Sequence, residues 1–296
     1  MNSLPGHIRP HPMGAPASPS FYGSRLVHLL SGFTPAGADG SGYRFVDRFG
    51  QLVGLQDSIS LSRVHAELPA MVFKPDGLAT ADTAKAVRET FLSTRKSLVT
   101  TIAMSFVPHS GHIKEKLPTP DGLHAHFLFT GVYAARRSGS AQTHASAFEP
   151  YRKFYVTRQI EMETRIQQLR SLVGTRISFL SPELARLEKL DSCLAKVLSG
   201  SVRDLFAVIP KQLERRFASG FDTHRRDLPK EPTASDLAEW ILPGGWIWTF
   251  CGEMRELLLA ELDVRLQPVL GMIDSLPPET TAADSSWDEE KKGPES

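Results

Sequence analysis

Apolar side chains recur at helical intervals through three long stretches of this chain. Between residues 148 and 178, Met162, Ile166, Leu169 and Val173 follow one another at steps of four, three and four, the spacing that lines side chains along one face of an α-helix. Leu187, Leu190, Leu194 and Val197 repeat the device at steps of three, four and three. The last stretch carries Met254, Leu258, Leu262, Leu266, Val269, Ile273 and Leu276, with Glu253, Arg255, Glu256, Glu261, Asp263 and Arg265 between them. A face that charged belongs in water, so the seam must meet protein, within this chain or in another. On this reading Leu262→Asp destroys packing or assembly, whereas Glu261→Ala, on the wet face, passes almost unnoticed.

Weaker periodicity predicts three helices before these. The first covers residues 20–32, with Ser18 or Ser20 as N-cap, Leu26, Leu29 and Leu30 inward and Gly32 as its end. A second covers about 45–68, with Phe49, Leu52, Val53, Ile59 and Val64 apolar and Pro69 as its stop. The third spans about 80–107, with Val87, Phe91, Leu98 and Ile102 inward and Pro108 as terminator. From 108 to 147 no period dominates. Ala125, Phe127, Phe129 and Tyr133 alternate with His124, His126 and Thr130, which fits a strand lacking a partner, a short helix or an ordered loop.

The fourth helix then starts near Phe148, and the fifth at Ser181-Pro182-Glu183, an N-cap, a proline at N1 and an early acid that suits the helix dipole. Pro210 predicts a bend in that helix, with Leu213 and Phe217 continuing the seam. The last helix has a preamble over 235–242, a break at Pro243-Gly244-Gly245, a main run over about 246–276 and an interruption at Pro268. Residues 1–19, with five prolines and no apolar core of a signal peptide, and 278–296, with six acidic residues, are expected to be disordered tails. The expected organisation is thus an N-terminal three-helix region (20–107), an irregular histidine-rich connector (108–147) and a long-helix bundle (148–277). The fold class is all-α: an elongated bundle of about six helices with long antiparallel C-terminal helices.

Composition narrows the functional classes. Lys plus Arg number 34 against 33 Asp plus Glu, so net charge gives no reason to expect nucleic acid as a partner. The pairs Arg136-Arg137, Arg215-Arg216 and Arg225-Arg226 are diluted by Glu214, Asp222 and Asp227 and are expected to form solvated or ion-paired helix ends. Cys193 and Cys251 both fall within predicted helices, which argues against a disulfide framework and for a cytoplasmic setting. No run approaches the length of a transmembrane segment.

Candidate chemistry is sparse. His109, His112, His124, His126 and His144 place half of the ten histidines in the irregular segment. HxxH and HxH spacing can present imidazoles to a metal, and His109, His112, His124 and His126 are weak candidates as ligands. No Cys lies nearby and no HExxH or CxxC occurs. Nucleophile-elbow, phosphate-loop and dinucleotide motifs are also absent, so no catalytic residue and no cofactor are expected. Tyr22, Tyr151, Tyr155, Phe148 and Phe154 read as core, and Trp240, Trp246 and Trp248 either as anchors of the helix break or as a patch for a partner or a membrane surface.

The segments SFYGSRLVHLL (20–30), FEPYRKFYVTRQIEMETRI (148–166), VIPKQLERRF (208–217) and LLAELDVRLQPVLGMI (258–273) resemble a family of uncharacterised all-helical bacterial proteins, a domain of unknown function. The resemblance implies an all-α cytoplasmic protein, transfers no catalytic residue, and carries an association with envelope complexes. The expected function is a non-catalytic scaffold or adaptor that self-associates or binds helices of a protein partner, including a component of a membrane complex. Its interaction seam is Met254, Leu258, Leu262, Leu266, Val269 and Ile273. The alternative is a metal-binding protein or metal-dependent hydrolase built on the segment from His109 to His144.

Overall fold

Small hydroxyl side chains and prolines set the helix starts in this computed structural model, which describes residues 25–32, 55–75, 81–107, 116–133 and 140–278. Thr119 accepts from the Gly122 N–H ahead of Pro120, Ser140 from Thr143, and Ser181 from Leu184 ahead of Pro182. Thr233 and Asp236 form a reciprocal capping box. The described residues fold into α1 (Arg25–Gly32), α2 (Leu55–Glu67), α3 (Ala81–Ser105), α4 (Pro120–Phe129), α5 (Ala141–Ile177), α6 (Pro182–Phe206), α7 (Val208–His224), α8 (Ala234–Ile241) and α9 (Trp246–Asp274). Among these residues there is no strand, and the chain is all-α.

Helix α5 is the hub. It receives α9, α7, α3, α6 and α4, and its inward face buries Phe148, Tyr151, Phe154, Tyr155, Met162, Ile166, Leu169 and Val173. Helices α6 and α7 both run antiparallel to α5, α7 continuing the direction of α6 beyond Ala207. Arg170 reaches back to Asp191 on α6, and His144 at the start of α5 meets Asp222 at the end of α7. Helix α9 lies parallel to α5, with Tyr151 against Phe250 and Gln159 against Glu261. Helix α3 is antiparallel to both, through Arg95 to Asp263 and Arg165 to Ser97. Val87, Phe91, Leu98 and Ile102 of α3, and Leu26 and Leu30 of α1, enter the same core as the C-terminal helices.

Of the three forms that the alternation over 123–133 fits, the structure takes the short helix, up to Phe129, since Leu123 and Phe127 at a step of four are buried while Phe129 is 92% exposed. Other expectations need correction. Helix α5 starts at Ala141, two turns before Phe148, since Ser140 supplies the cap and Pro150 sits inside the helix. The break in the fifth predicted helix falls at Ala207, which puts Pro210 in the first turn of α7, a position where its missing N–H costs little. Pro268 does not interrupt α9: the proline is exposed, and burial of Val269, Met272 and Ile273 beyond it carries the helix on. Breaking at Ala207 and at Pro243-Gly244-Gly245, and adding α4, yields more helices than six. The predicted residues Phe49, Leu52 and Val53 lie outside the described residues, as do Ser18, Ser20, Tyr22, the N-terminal tail and the C-terminal tail beyond Pro278. Of the rest of that helix, Val64 is half-buried and Ile59 is 50% exposed.

An aromatic cluster locks the end of the bundle where α4, α5, α7, α8 and α9 converge. Phe217 contacts Phe148, Tyr151, Phe250 and Trp246 with centroids 5.1–5.6 Å apart. Trp246 stacks on His224 and meets Trp240 edge-on. Gly220 faces the Trp246 ring so closely that an added Cβ would lie 2.8 Å from it. Trp240 and Trp246 thus anchor the Pro-Gly-Gly break within the core, while Trp248 is 54% exposed.

Candidate functional site

Among the described residues, a fully buried carboxyl meets an arginine at the contact of α5 with α9. Glu261 is fully buried. Its carboxylate accepts from the Tyr155 hydroxyl at 3.2 Å, from Gln159 Nε2 at 3.0 and 2.9 Å, and from Arg265 Nε at 2.8 Å. Arg265, one turn further along α9, also pairs with Glu163 of α5. Its guanidinium lies over the Phe206 ring, 3.8 Å from the centroid. Gln159 Nε2 additionally donates to the Phe206 carbonyl at 3.4 Å.

That carbonyl lies four residues before Pro210, so the proline supplies no N–H to it. The glutamine amide serves it instead. The cluster therefore ties α5 and α9 to the last residue of α6, where the chain breaks into α7. Burial raises the pKa of Glu261 against the lowering pull of Arg265, Gln159 and Tyr155. Burial and the neighbouring Glu261 charge push the Tyr155 phenol well above its ordinary value. With the carboxylate fully buried and met by donors from three side chains, the arrangement can hold helices and hold or release a proton.

The expectation that Glu261 lies on a wet face is overturned. Leu257, Leu258, Ala260, Glu261 and Leu262 are all buried, so the apolar arc of α9 is wider than one seam and wraps past the acid. The run LLLAEL at 257–262, a single charge flanked by apolar residues on both sides, is the signal that could have revealed it. Tyr155 and Gln159, at a step of four beside the Met162 seam, were equally legible. The predicted seam residues Met254, Leu258, Leu262, Leu266, Val269 and Ile273 are buried against the body of this same chain.

The described histidines of this segment do not converge. His124 and His126 sit on α4, where a two-residue step sends the rings in different directions. His124 Nδ1 is 2.9 Å from the Tyr133 hydroxyl, His126 Nε2 2.7 Å from the Ser146 carbonyl, and His144 Nε2 2.9 Å from Asp222. Tyr133 is pushed up to about 12 by burial and by Asp236. Among the described residues no group of three or more His, Cys, Asp or Glu side chains could hold a metal. His109 and His112 lie outside the described residues. Of the basic pairs, Arg216 is bidentate on Glu253 and Arg225 pairs with Asp222, and Arg136-Arg137 lie outside the described residues. No helix among the described residues is long and apolar enough to cross a membrane.

A different surface emerges at the second seam. Both ends of α6 are buried, through Leu184 and Ala185 at the start and Leu205 and Phe206 at the end. Leu187, Leu190, Leu194 and Val197 between them are only half-buried. Helix α2 packs chiefly on α6, and Arg170 holds α6 to α5 by a bidentate pair with Asp191, both contacts 2.6 Å.

The chain belongs to the family described as Protein of unknown function (DUF3348), whose model matches residues 13–277. No curated protein and no solved structure matches it.

Proposed function

We propose that this chain is a non-catalytic helical scaffold or adaptor that works in the cytoplasm and pairs with other helices through the α2–α6 arm. The reading rests on one observation: the apolar seam Leu187, Leu190, Leu194 and Val197 stays half-buried in the chain, whereas the comparable seam of α9 is buried completely. A two-helix arm of this kind buries too little surface to define its own packing. Added helices from a second copy or a partner complete such a layer. Ile59 on α2, half-exposed beside α6, lies on the same arm.

Light scattering tests the reading on the intact chain. The expected result is a mass at a multiple of 32.7 kDa that Leu194→Glu returns to a single chain without changing the melting temperature. A photo-crosslinker placed at position 194 in the native cell covers the case of a different partner. A wild-type mass of one chain, together with no crosslinked product, overturns the proposal.

A further inference from the structure

The geometry points to Glu261 as the hub of a proton-sensitive latch that holds the α6 arm to the α5–α9 body at the Phe206–Ala207 joint. The inference rests on the scaffold reading for its purpose, since α6 is the helix offered to a partner, but its physics lies within one chain. Two of the contacts that hold the joint, beside burial of Leu205 and Phe206 in the core, run through this cluster. Arg265 covers the Phe206 ring and Gln159 donates to the Phe206 carbonyl. Glu261 accepts from both of these side chains and so fixes where each points. The bonds of Glu261 stay within α5 and α9, with Tyr155 completing its shell, and its link to α6 runs through Gln159 and Arg265.

The groups facing the carboxyl are few. From α5 come the Tyr155 phenol, the Gln159 amide and, beyond Arg265, the carboxylate of Glu163. From α9 comes Arg265, with its side chain 8% exposed. The joint itself presents the carbonyl and ring of Phe206. Helix α3 sends Arg95 to Asp263, two residues from Glu261. Glu261 thus has one cation beside it, and that cation is shared with a second carboxylate.

A carboxyl removed wholly from water favours its neutral form, and burial is the leading cause of the raised pKa of Glu261. When the joint opens and water reaches the group, its pKa returns toward the ordinary carboxylate range of about 4 to 5. Protons therefore hold the latch shut. Below that range both states are neutral and the latch keeps its full stability. As pH rises toward the closed-state value, the open state ionises first and gains ground, by up to about tenfold per pH unit. Above the closed-state value both are ionised and the effect levels off. Opening would loosen the C-terminal end of α6 at Ala207, where Pro210 donates no N–H to the Phe206 carbonyl, while Arg170 and Asp191 keep the other end on α5.

Hydrogen exchange of the full-length chain tests this, read at residues 200–212 and corrected for the intrinsic pH dependence of exchange. Expected is a fall in protection with rising pH at this segment, steeper than in residues 152–166 of α5. Glu261→Gln, which keeps the shape and an acceptor oxygen but cannot ionise, should show no such fall. Arg265→Gln removes the cation that favours ionisation and should shift the levelling-off to higher pH. Wild-type protection that does not change with pH, a Glu261→Gln variant with an unaltered slope, or a shift to lower pH in Arg265→Gln each overturns the latch. If one variant does not fold, the other still decides. Association is measured separately: loss of the latch with Leu194→Glu still monomerising leaves the scaffold reading intact, and the converse leaves the latch intact.

Discussion

Glu261 sits among apolar neighbours with every nearby donor aimed at it, so the effect of changing it depends on what the substitution leaves behind. Removing the side chain abandons the Tyr155 hydroxyl, the Gln159 amide and part of the Arg265 guanidinium in a dry interior. Such orphaned groups cost about 1 to 3 kcal/mol each, while replacing a buried ion by a neutral isostere is often close to neutral. Glu261→Ala is therefore expected to lower stability by at least about 2 kcal/mol, and Glu261→Gln to stay within about 1 kcal/mol of wild type, in urea unfolding at neutral pH. Equal losses in the two variants would mean that the carboxylate organises nothing. The pH dependence has the same sign as for the latch: the raised pKa of Glu261 makes its contribution greatest in acid and smaller as pH rises through the folded-state value.

Helix ends show how much of the fold was legible and where legibility stopped. Ser181-Pro182-Glu183 and Pro243-Gly244-Gly245 are local devices whose chemistry depends on adjacent residues, and both function as their sequence implies. Gly244 takes φ +95°, and a Cβ on Gly245 would come within 2.3 Å of the Trp240 carbonyl oxygen. Gly245→Ala should therefore lower the melting temperature by pushing α8 from α9, at a cost of about 1 to 3 kcal/mol. Gly252, inside α9, meets nothing within 4 Å at its Cβ position. Gly252→Ala should raise stability by about 0.5 to 1 kcal/mol. A melting temperature that moves the same way in both would show the break to be unimportant. The break at Ala207 was not legible at its true position, because it depends on Gln159 and Arg265, 48 and 58 residues away in sequence by subtraction of their numbers. Helix α4 was legible only as one of three readings, for a related reason. Leu123 and Phe127 fit a helix, but the nearly continuous run through Phe129 satisfies a strand as well, and only burial of Phe127 against Phe221 and Tyr133 decides.

Across the whole molecule two apolar seams of similar spacing meet different fates. The seam of α9 faces α5, α3 and α1 in its own chain, and each fully buried leucine there contributes about 1.5 to 3 kcal/mol. Leu262 is 0% exposed. Leu262→Asp puts a carboxylate with no cation into that contact, a cost comparable with much of the roughly 5 to 15 kcal/mol that holds a domain together. Its expected result is loss of cooperative thermal unfolding, with any change in mass following from that. Leu194 in the α6 seam is half-buried, so a charge there can reach water without unfolding the body. Leu194→Glu should leave the unfolding transition in place and change only the assembly mass. Spacing alone could not separate the two, because both seams read as steps of three and four, and what distinguishes them is the number of helices that pack on each. The pair of variants therefore reads out the architecture: if Leu194→Glu abolishes cooperative unfolding as Leu262→Asp does, α6 belongs to the core and the arm has no face to offer.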